Sequence, residues 1–243
     1  MDRKPDMVLF DYGQTLIDEH FNPIEGNRAL LRYATKNPNN VTAEQMQEVA
    51  DTLIKDIVNP FHIKNRNYQM LELTNYAFEK YLFDFLELDF PLTSKELEWI
   101  FWSNASHGKP TSNIQQLLSY LNKNQIRTAV VSNISFCSDS LIRKINELIP
   151  NNHFEFVIAS SDYIFRKPHP RIFEIALKKA KLPADQIWFC GDNLYCDIEG
   201  SYNAGMKPFW YPTYIDGEYK VSTVVPFKRI DDWMELINLI EHM

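Results

Sequence analysis

Four segments of this 243-residue chain place chemistry-bearing residues directly after short apolar runs. Asp11-Tyr12-Gly13-Gln14-Thr15 follows Met7–Phe10, and Ser132-Asn133 follows Thr128–Val131. Ser160-Ser161-Asp162, and then Arg166-Lys167-Pro168, follow Phe154–Ala159. Gly191-Asp192-Asn193, with Asp197 further on, follows Ile187–Cys190. Each segment alone is what a loop contains, but Asp, Ser, Lys and Asp in that order form a set. Two carboxylates with a lysine between them can hold a divalent cation and stabilise an anion beside it. Oxygen ligands with room for water suit Mg²⁺.

Such a set works only if the four runs are neighbours. Their length and apolar character read as buried strands. Helical patterns separate them: Ile114, Leu117, Leu118 and Leu121; Leu141, Ile142, Ile145 and Leu148; Ile172, Phe173, Ala176 and Leu177. A short strand at Pro208–Tyr211 and a helix carrying Trp233, Leu236, Ile237 and Ile240 complete this half. Strands alternating with helices predict an α/β fold, a doubly wound parallel sheet covered on both faces. Ligands in such sheets bind at the carboxyl ends of the strands, near a topological switch point.

Between Thr15 and Ser106 the rhythm is helical. Thr42 and Gln45 form a capping box before Met46, Val49, Ala50, Leu53, Ile54 and Ile57, and further amphipathic stretches run over Leu73–Phe85 and from Thr93 through Leu97 and Ile100. A βαβ crossover needs only about 30 residues, so this stretch is an insertion. The predicted division is a core of residues 1–16 and 107–243 and an all-helical cap of residues 17–106, with hinges near Ile17–Phe21 and Ser103–Pro110.

Lys+Arg 25 against Asp+Glu 32 gives a net charge of −7, which argues against nucleic acid and anionic membrane as partners. No run reaches the roughly 20 apolar residues of a membrane span, and Met1–Asp6 does not read as a secretory signal. Cys137, Cys190 and Cys196 are too scattered for a disulfide framework and read as reduced thiols in a cytoplasmic protein, with Cys196 the one that could be reactive.

The four segments resemble the motifs of the haloacid dehalogenase superfamily, whose members are mostly phosphatases. VLFDYGQTL matches its first motif, VVSN its second, Lys167-Pro168-His169-Pro170-Arg171-Ile172-Phe173 its third, and Gly191-Asp192 through Asp197, followed by Asn203-Ala204-Gly205-Met206, its fourth. The insertion lies where that family carries helical caps. The resemblance implies a Mg²⁺-dependent hydrolase acting on a small phosphorylated metabolite. Asp11 would be the nucleophile, forming an aspartyl-phosphate. Asp11, Asp192 and the Gly13 carbonyl would hold the metal. Ser132 and the Asn133 backbone N–H would hold the transferring group, Lys167 would balance its charge, and Asp197 would act behind them, through metal-bound water or the Lys167 ammonium.

One departure bears on rate. The family's phosphatases place a second Asp where this chain has Gly13, and a Gly where it has Gln14. That Asp passes a proton to the leaving group, and a missing acid/base group typically costs about 10²–10⁴-fold. Low efficiency is therefore expected unless Glu19 or His20, where the chain enters the cap, carries the proton. Arg32, His62, Lys64 and Arg66 could meet an anionic substrate from the cap. Rival readings are metal-independent dehalogenase or phosphonate-hydrolase chemistry on the same nucleophile, and a silent phosphate-binding regulator.

Overall fold

The computed structural model describes residues 3–62, 70–212 and 223–243, the side chains of residues 57–62 excepted. In chain order the elements are β1 (Met7–Phe10), β2 (Ile17–Phe21), α1 (Pro23–Leu31), α2 (Ala43–His62), α3 (Asn75–Phe85), α4 (Ser94–Ala105), β3 (Ser106–Pro110) and α5 (Ile114–Lys123). There follow β4 (Arg127–Ser132), α6 (Ser138–Leu148), β5 (Val157–Ala159), α7 (Pro170–Ala180), β6 (Ile187–Gly191), α8 (Gly200–Asn203), β7 (Lys207–Trp210), β8 (Lys228–Arg229) and α9 (Trp233–Glu241).

Six strands form one sheet in the order β5-β4-β1-β6-β7-β8, every pair parallel. The chain builds outward from β1 to one side through β4 and β5, then crosses back to build the other side through β6. The crevice beside β1 is thus the switch point that such sheets use for ligands. Alternation along β1 explains the two layers. Val8 and Phe10 join the core beneath α5, α6 and α9, while Met7 and Leu9 join Ile172, Phe173 and Ala176 of α7 on the other face. All four β1 side chains have no exposed surface, the pattern of a central strand in a doubly covered sheet.

The inserted stretch carries α1–α4 around a separate small core of Leu30, Val41, Met46, Ala50, Leu82 and Leu97. The capping box expected before α2 forms, and a second one appears at α4. Thr42 N–H donates to Gln45 Oε1 at 2.9 Å and Gln45 N–H to Thr42 Oγ1 at 3.3 Å, and Thr93 with Glu96 does the same at α4. The structure adds a pair of strands that helical periodicity does not reveal. β2 and β3, the segments expected to hinge, pair antiparallel from Ile17↔Pro110 to Phe21↔Ser106. They form a two-stranded stem through which the chain leaves and rejoins the core, and the 106/107 boundary falls inside β3. Two further differences are local. The strand expected over Phe154–Ala159 narrows to Val157–Ala159, and β8 is a two-residue edge strand without a sequence signal.

Candidate active site

Strand register sets the geometry. Phe10 of β1 aligns with Val130 of β4 and Cys190 of β6, so Asp11 is level with Val131 and Gly191. Ser132 and Asp192 each lie one residue further out, on either side of Asp11. Asp11 is anchored by its N–H, which donates to the Cys190 carbonyl at 2.9 Å. Ser132 and Asp11 are both buried.

Lys167 comes from the loop before α7 and is 2% exposed. Its Nζ donates to Asp11 Oδ1 at 2.7 Å and to Asp197 Oδ1 at 2.6 Å, bridging two strand ends. The loop is fixed by a reciprocal clip: the Lys167 N–H donates to Asn133 Oδ1 at 2.7 Å, and Asn133 Nδ2 donates to the Lys167 carbonyl at 2.8 Å. The Asn133 side chain therefore positions Lys167, a contact that the sequence does not announce. Burial works against the Lys167 charge, but Asp11 and Asp197 outweigh it and hold the ammonium well above its ordinary range.

Asp197 reaches this cluster because of two local features. The chain after β6 makes a π-helical turn over Leu194–Glu199, a wide turn common at functional sites. Gly191 then leaves room: a Cβ there would lie 2.4 Å from Asp197 Cγ. The Asn193 N–H donates to Asp197 Oδ2 at 3.0 Å, so both carboxylate oxygens are held. Asp197 thus touches the Lys167 ammonium directly.

Carboxylate oxygens of Asp11, Asp192 and Asp197 come within 4.8 Å of one another. Burial raises the Asp192 carboxyl, and the neighbouring Asp197 and Asp11 raise it further against the opposing pull of Lys167. Three carboxylates against a single ammonium leave an excess of negative charge in a poorly solvated crevice, which is the donor set a hard divalent cation fits. Among the described residues no hydrogen bond ends on the Gly13 carbonyl.

Gly13 itself opens toward the stem. A Cβ built on it would meet Glu19 Oε2 at 3.8 Å and nothing else within 4 Å beyond its chain neighbours. Glu19 is half-buried and pinned by its other oxygen, Oε1, which accepts from Ser106 Oγ at 2.6 Å and from Trp102 Nε1 at 3.2 Å. Gln14 takes a left-handed conformation (φ 58°), where glycine would be unstrained. Its Nε2 compensates by donating to the Glu19 carbonyl at 2.9 Å. The neighbouring His20 is exposed and faces Asp18 at 3.7 Å, away from this cluster. Arg32 is the C-cap of α1 and does not line the cavity beside Lys167, while Lys64 and Arg66 lie outside the described residues, and His62, the last residue of α2, is described in its backbone alone. Burial, and then the Asp197 charge, pushes the Cys196 thiol up to about 12, so this cysteine stays a protonated thiol rather than a nucleophile. No helix among the described residues is long and apolar enough to cross a membrane.

A family model for haloacid dehalogenase-like hydrolases matches residues 8–211. The chain belongs to that family. Shorter stretches resemble curated members. One of 68 residues is 44% identical to the glyceraldehyde 3-phosphate phosphatase of Pyrococcus abyssi, covering 28% of this chain and 29% of that protein. Another of 84 residues is 33% identical to human haloacid dehalogenase-like hydrolase domain-containing protein 3, covering 35% of this chain and 32% of that one. Each match thus spans about a third of the relative's length. The fold agrees over nearly the whole chain with a HAD phosphatase from Thermococcus onnurineus (TM-score 0.62, 19% identity, 96% of this chain and 97% of that one). It agrees equally with a 2-haloacid dehalogenase from Pseudomonas syringae (TM-score 0.62, 22% identity, 97% and 98%). Structures named for both chemistries share this fold, so the fold alone does not choose between them.

Proposed function

We propose that this chain is a Mg²⁺-dependent phosphomonoesterase with Asp11 as nucleophile, and that β2, α1–α4 and β3 form the cap over its active site. The observation that supports the reading most is the Lys167 ammonium, buried and bridging Asp11 and Asp197 beside Asp192 at the switch point. Asp11, Asp192 and the Gly13 carbonyl would hold Mg²⁺, which supplies positive charge to neutralise the phosphoryl group and orient it for in-line attack.

The chain's own residues then do the following. Lys167 orients Asp11 through its 2.7 Å hydrogen bond to Oδ1, and stabilises the charge that builds on the phosphoryl oxygens. Ser132 Oγ and the Asn133 N–H hold those oxygens, while the Asn133 side chain and Asp197 keep Lys167 in place. An Asp11 carboxylate oxygen bonds to phosphorus as the P–O bond to the alcohol breaks, and the departing alkoxide takes a proton from Glu19. In the second step Glu19, now a carboxylate, takes a proton from water. The water oxygen bonds to phosphorus, and the P–O bond to Asp11 breaks to release phosphate. Glu19 is assigned to this role because its free oxygen faces the gap that Gly13 leaves; His20 faces away.

The direct test is phosphate release from a panel of phosphate monoesters with Mg²⁺ and with chelator. Turnover that needs Mg²⁺ and disappears in Asp11→Asn is the expected result. Release of halide from 2-haloacids that survives chelation would replace this reading with the dehalogenase one.

A further inference from the structure

A cavity of roughly 940 Å³ opens beside Lys167 and Asn133 and extends beneath α1–α3, at the upper end of the range of about 300–1,000 Å³ for small-molecule sites. Its wall is mostly apolar, with Met46 and Ala50 from α2, Phe78 and Leu82 from α3, Phe101 from α4, and Phe136. Into this wall α3 sets two polar side chains one turn apart. Asn75 and Glu79 are 7% and 5% exposed, and both line the cavity. Among the described residues, Asn75 Nδ2 and Glu79 Oε1 have no partner at full hydrogen-bond geometry. Few buried polar atoms in folded proteins are left so, and those that are call for an explanation. Packing does not supply one here, since an apolar residue at either position would fill the wall without the penalty.

The pair is also held in register with the phosphoryl end. Thr74 caps α3 by accepting from the Ala77 N–H, and the Asn75 N–H donates to the Ser135 carbonyl at 2.9 Å. Ser135 lies in the loop that follows Ser132 and Asn133, so α3 starts on the loop that flanks Lys167. Burial pushes the Glu79 carboxyl up to about 8, against a lowering by the adjacent Asn75 amide, with Glu98 adding to the rise. At neutral pH it therefore carries a proton, and can donate as well as accept.

We propose that Asn75 and Glu79 recognise the alcohol half of the substrate, and that this half is a flat, largely apolar body with a hydrogen-bond donor and acceptor on adjacent atoms. The edge of a nucleobase or another cyclic amide has this chemistry. The proposal rests on the phosphomonoesterase reading above. A triose phosphate would leave most of the cavity unfilled and both polar atoms unpaired.

The test compares uridine 5′-monophosphate, phenyl phosphate and glyceraldehyde 3-phosphate as substrates, with calorimetric binding of uridine as a readout that needs no catalysis. Wild type is expected to prefer uridine 5′-monophosphate to glyceraldehyde 3-phosphate. Glu79→Leu and Asn75→Ala should each lower the ratio of kcat/KM for uridine 5′-monophosphate to that for phenyl phosphate by about 10–100-fold, through KM. Glu79→Gln, which can still donate and accept, should keep most of that ratio. Preference for glyceraldehyde 3-phosphate, or variants that leave the ratio unchanged, would overturn the proposal. If no ester is hydrolysed, the phosphomonoesterase reading fails on its own. Uridine binding weakened by Glu79→Leu would then still support the pocket, and no binding of uridine by wild type would overturn it.

Discussion

Glu19→Gln separates proton transfer from everything else at this site. The substitution keeps the shape, and a Gln Oε1 can still accept from Ser106 Oγ and Trp102 Nε1 as Glu19 does now. What changes is the atom facing Gly13, which becomes an amide that can no longer exchange a proton with the leaving group. Acid catalysis of this kind is worth about 10²–10⁴-fold. On the proposed reading Glu19 would work from the stem rather than from the loop after Asp11, but one of its oxygens is fixed by two hydrogen bonds. A loss of about 10²–10³-fold in kcat/KM, or roughly 3–4 kcal/mol, is therefore expected for alkyl phosphates. An aryl phosphate with a low-pKa leaving group needs little protonation and should lose far less in the first step. Hydrolysis of the Asp11 ester also slows without a base, so the variant should show a burst of aryl alcohol before slow turnover. The assay is pre-steady-state and steady-state release from an alkyl and an aryl ester. A second variant guards against trivial damage. The backbone at Gly13 is not left-handed, and a Cβ there is met only by the Glu19 carboxylate. Gly13→Asp should thus fit, and in the Glu19→Gln background it should restore part of the alkyl rate. An alkyl-to-aryl ratio unchanged by Glu19→Gln, or no rescue by Gly13→Asp, would refute the assignment and leave Gly13 as the uncompensated loss that the motif alone suggests.

Three other outcomes follow from the geometry. Asp192→Asn should weaken Mg²⁺ affinity and phosphatase activity together, because Asn keeps the shape but not the charge; unchanged affinity by calorimetry would remove Asp192 from the metal site. Gly191→Ala should displace Asp197 from Lys167, since the new Cβ would overlap the Asp197 side chain at 2.4–2.5 Å; a loss of about 1–3 kcal/mol in denaturant unfolding, together with activity, is expected. Glu79→Gln should stabilise the protein in a pH-dependent way. The Glu79 carboxyl ionises at its ordinary 4.5 when unfolded and at about 8 when folded, so between these values the folded state holds a proton that the unfolded state lacks. Stability contributed at this site therefore falls as pH rises through that window, by at most roughly 5 kcal/mol. The advantage of Glu79→Gln over wild type in urea unfolding should accordingly grow from pH 4.5 to pH 8, and a constant difference would show that Glu79 is not a buried acid.

What the sequence makes legible here is what physics writes locally. A four-residue apolar run buried on both faces is a strand whichever residues follow, and the capping box of Thr42 and Gln45 marks a helix start without help from the fold. The order of Asp11, Ser132, Lys167 and Asp192 along the chain is legible because a parallel sheet brings the strand ends together. The stem escaped because Ile17–Phe21 and Ser106–Pro110 are five residues each, half-exposed and rich in charge, and they pair with each other across the whole insertion. Glu19 could be named from its place after the first motif, but not chosen over His20. That choice depends on which face of β2 each residue takes, and the face depends on a register with β3 that no local pattern encodes. The same holds for Asn75 and Glu79. At i and i+4 they read as an ordinary helical polar pair, and only the folded cavity shows that Asn75 Nδ2 and Glu79 Oε1 are buried without partners among the described residues. Local chemistry thus brings out the residues that gather at the strand ends. The residues that would distinguish this chain, a proton carrier on the stem and a polar pair in the cavity wall, are set by contacts between segments far apart in sequence, and mutating them tests the three-dimensional reading where the motifs are silent.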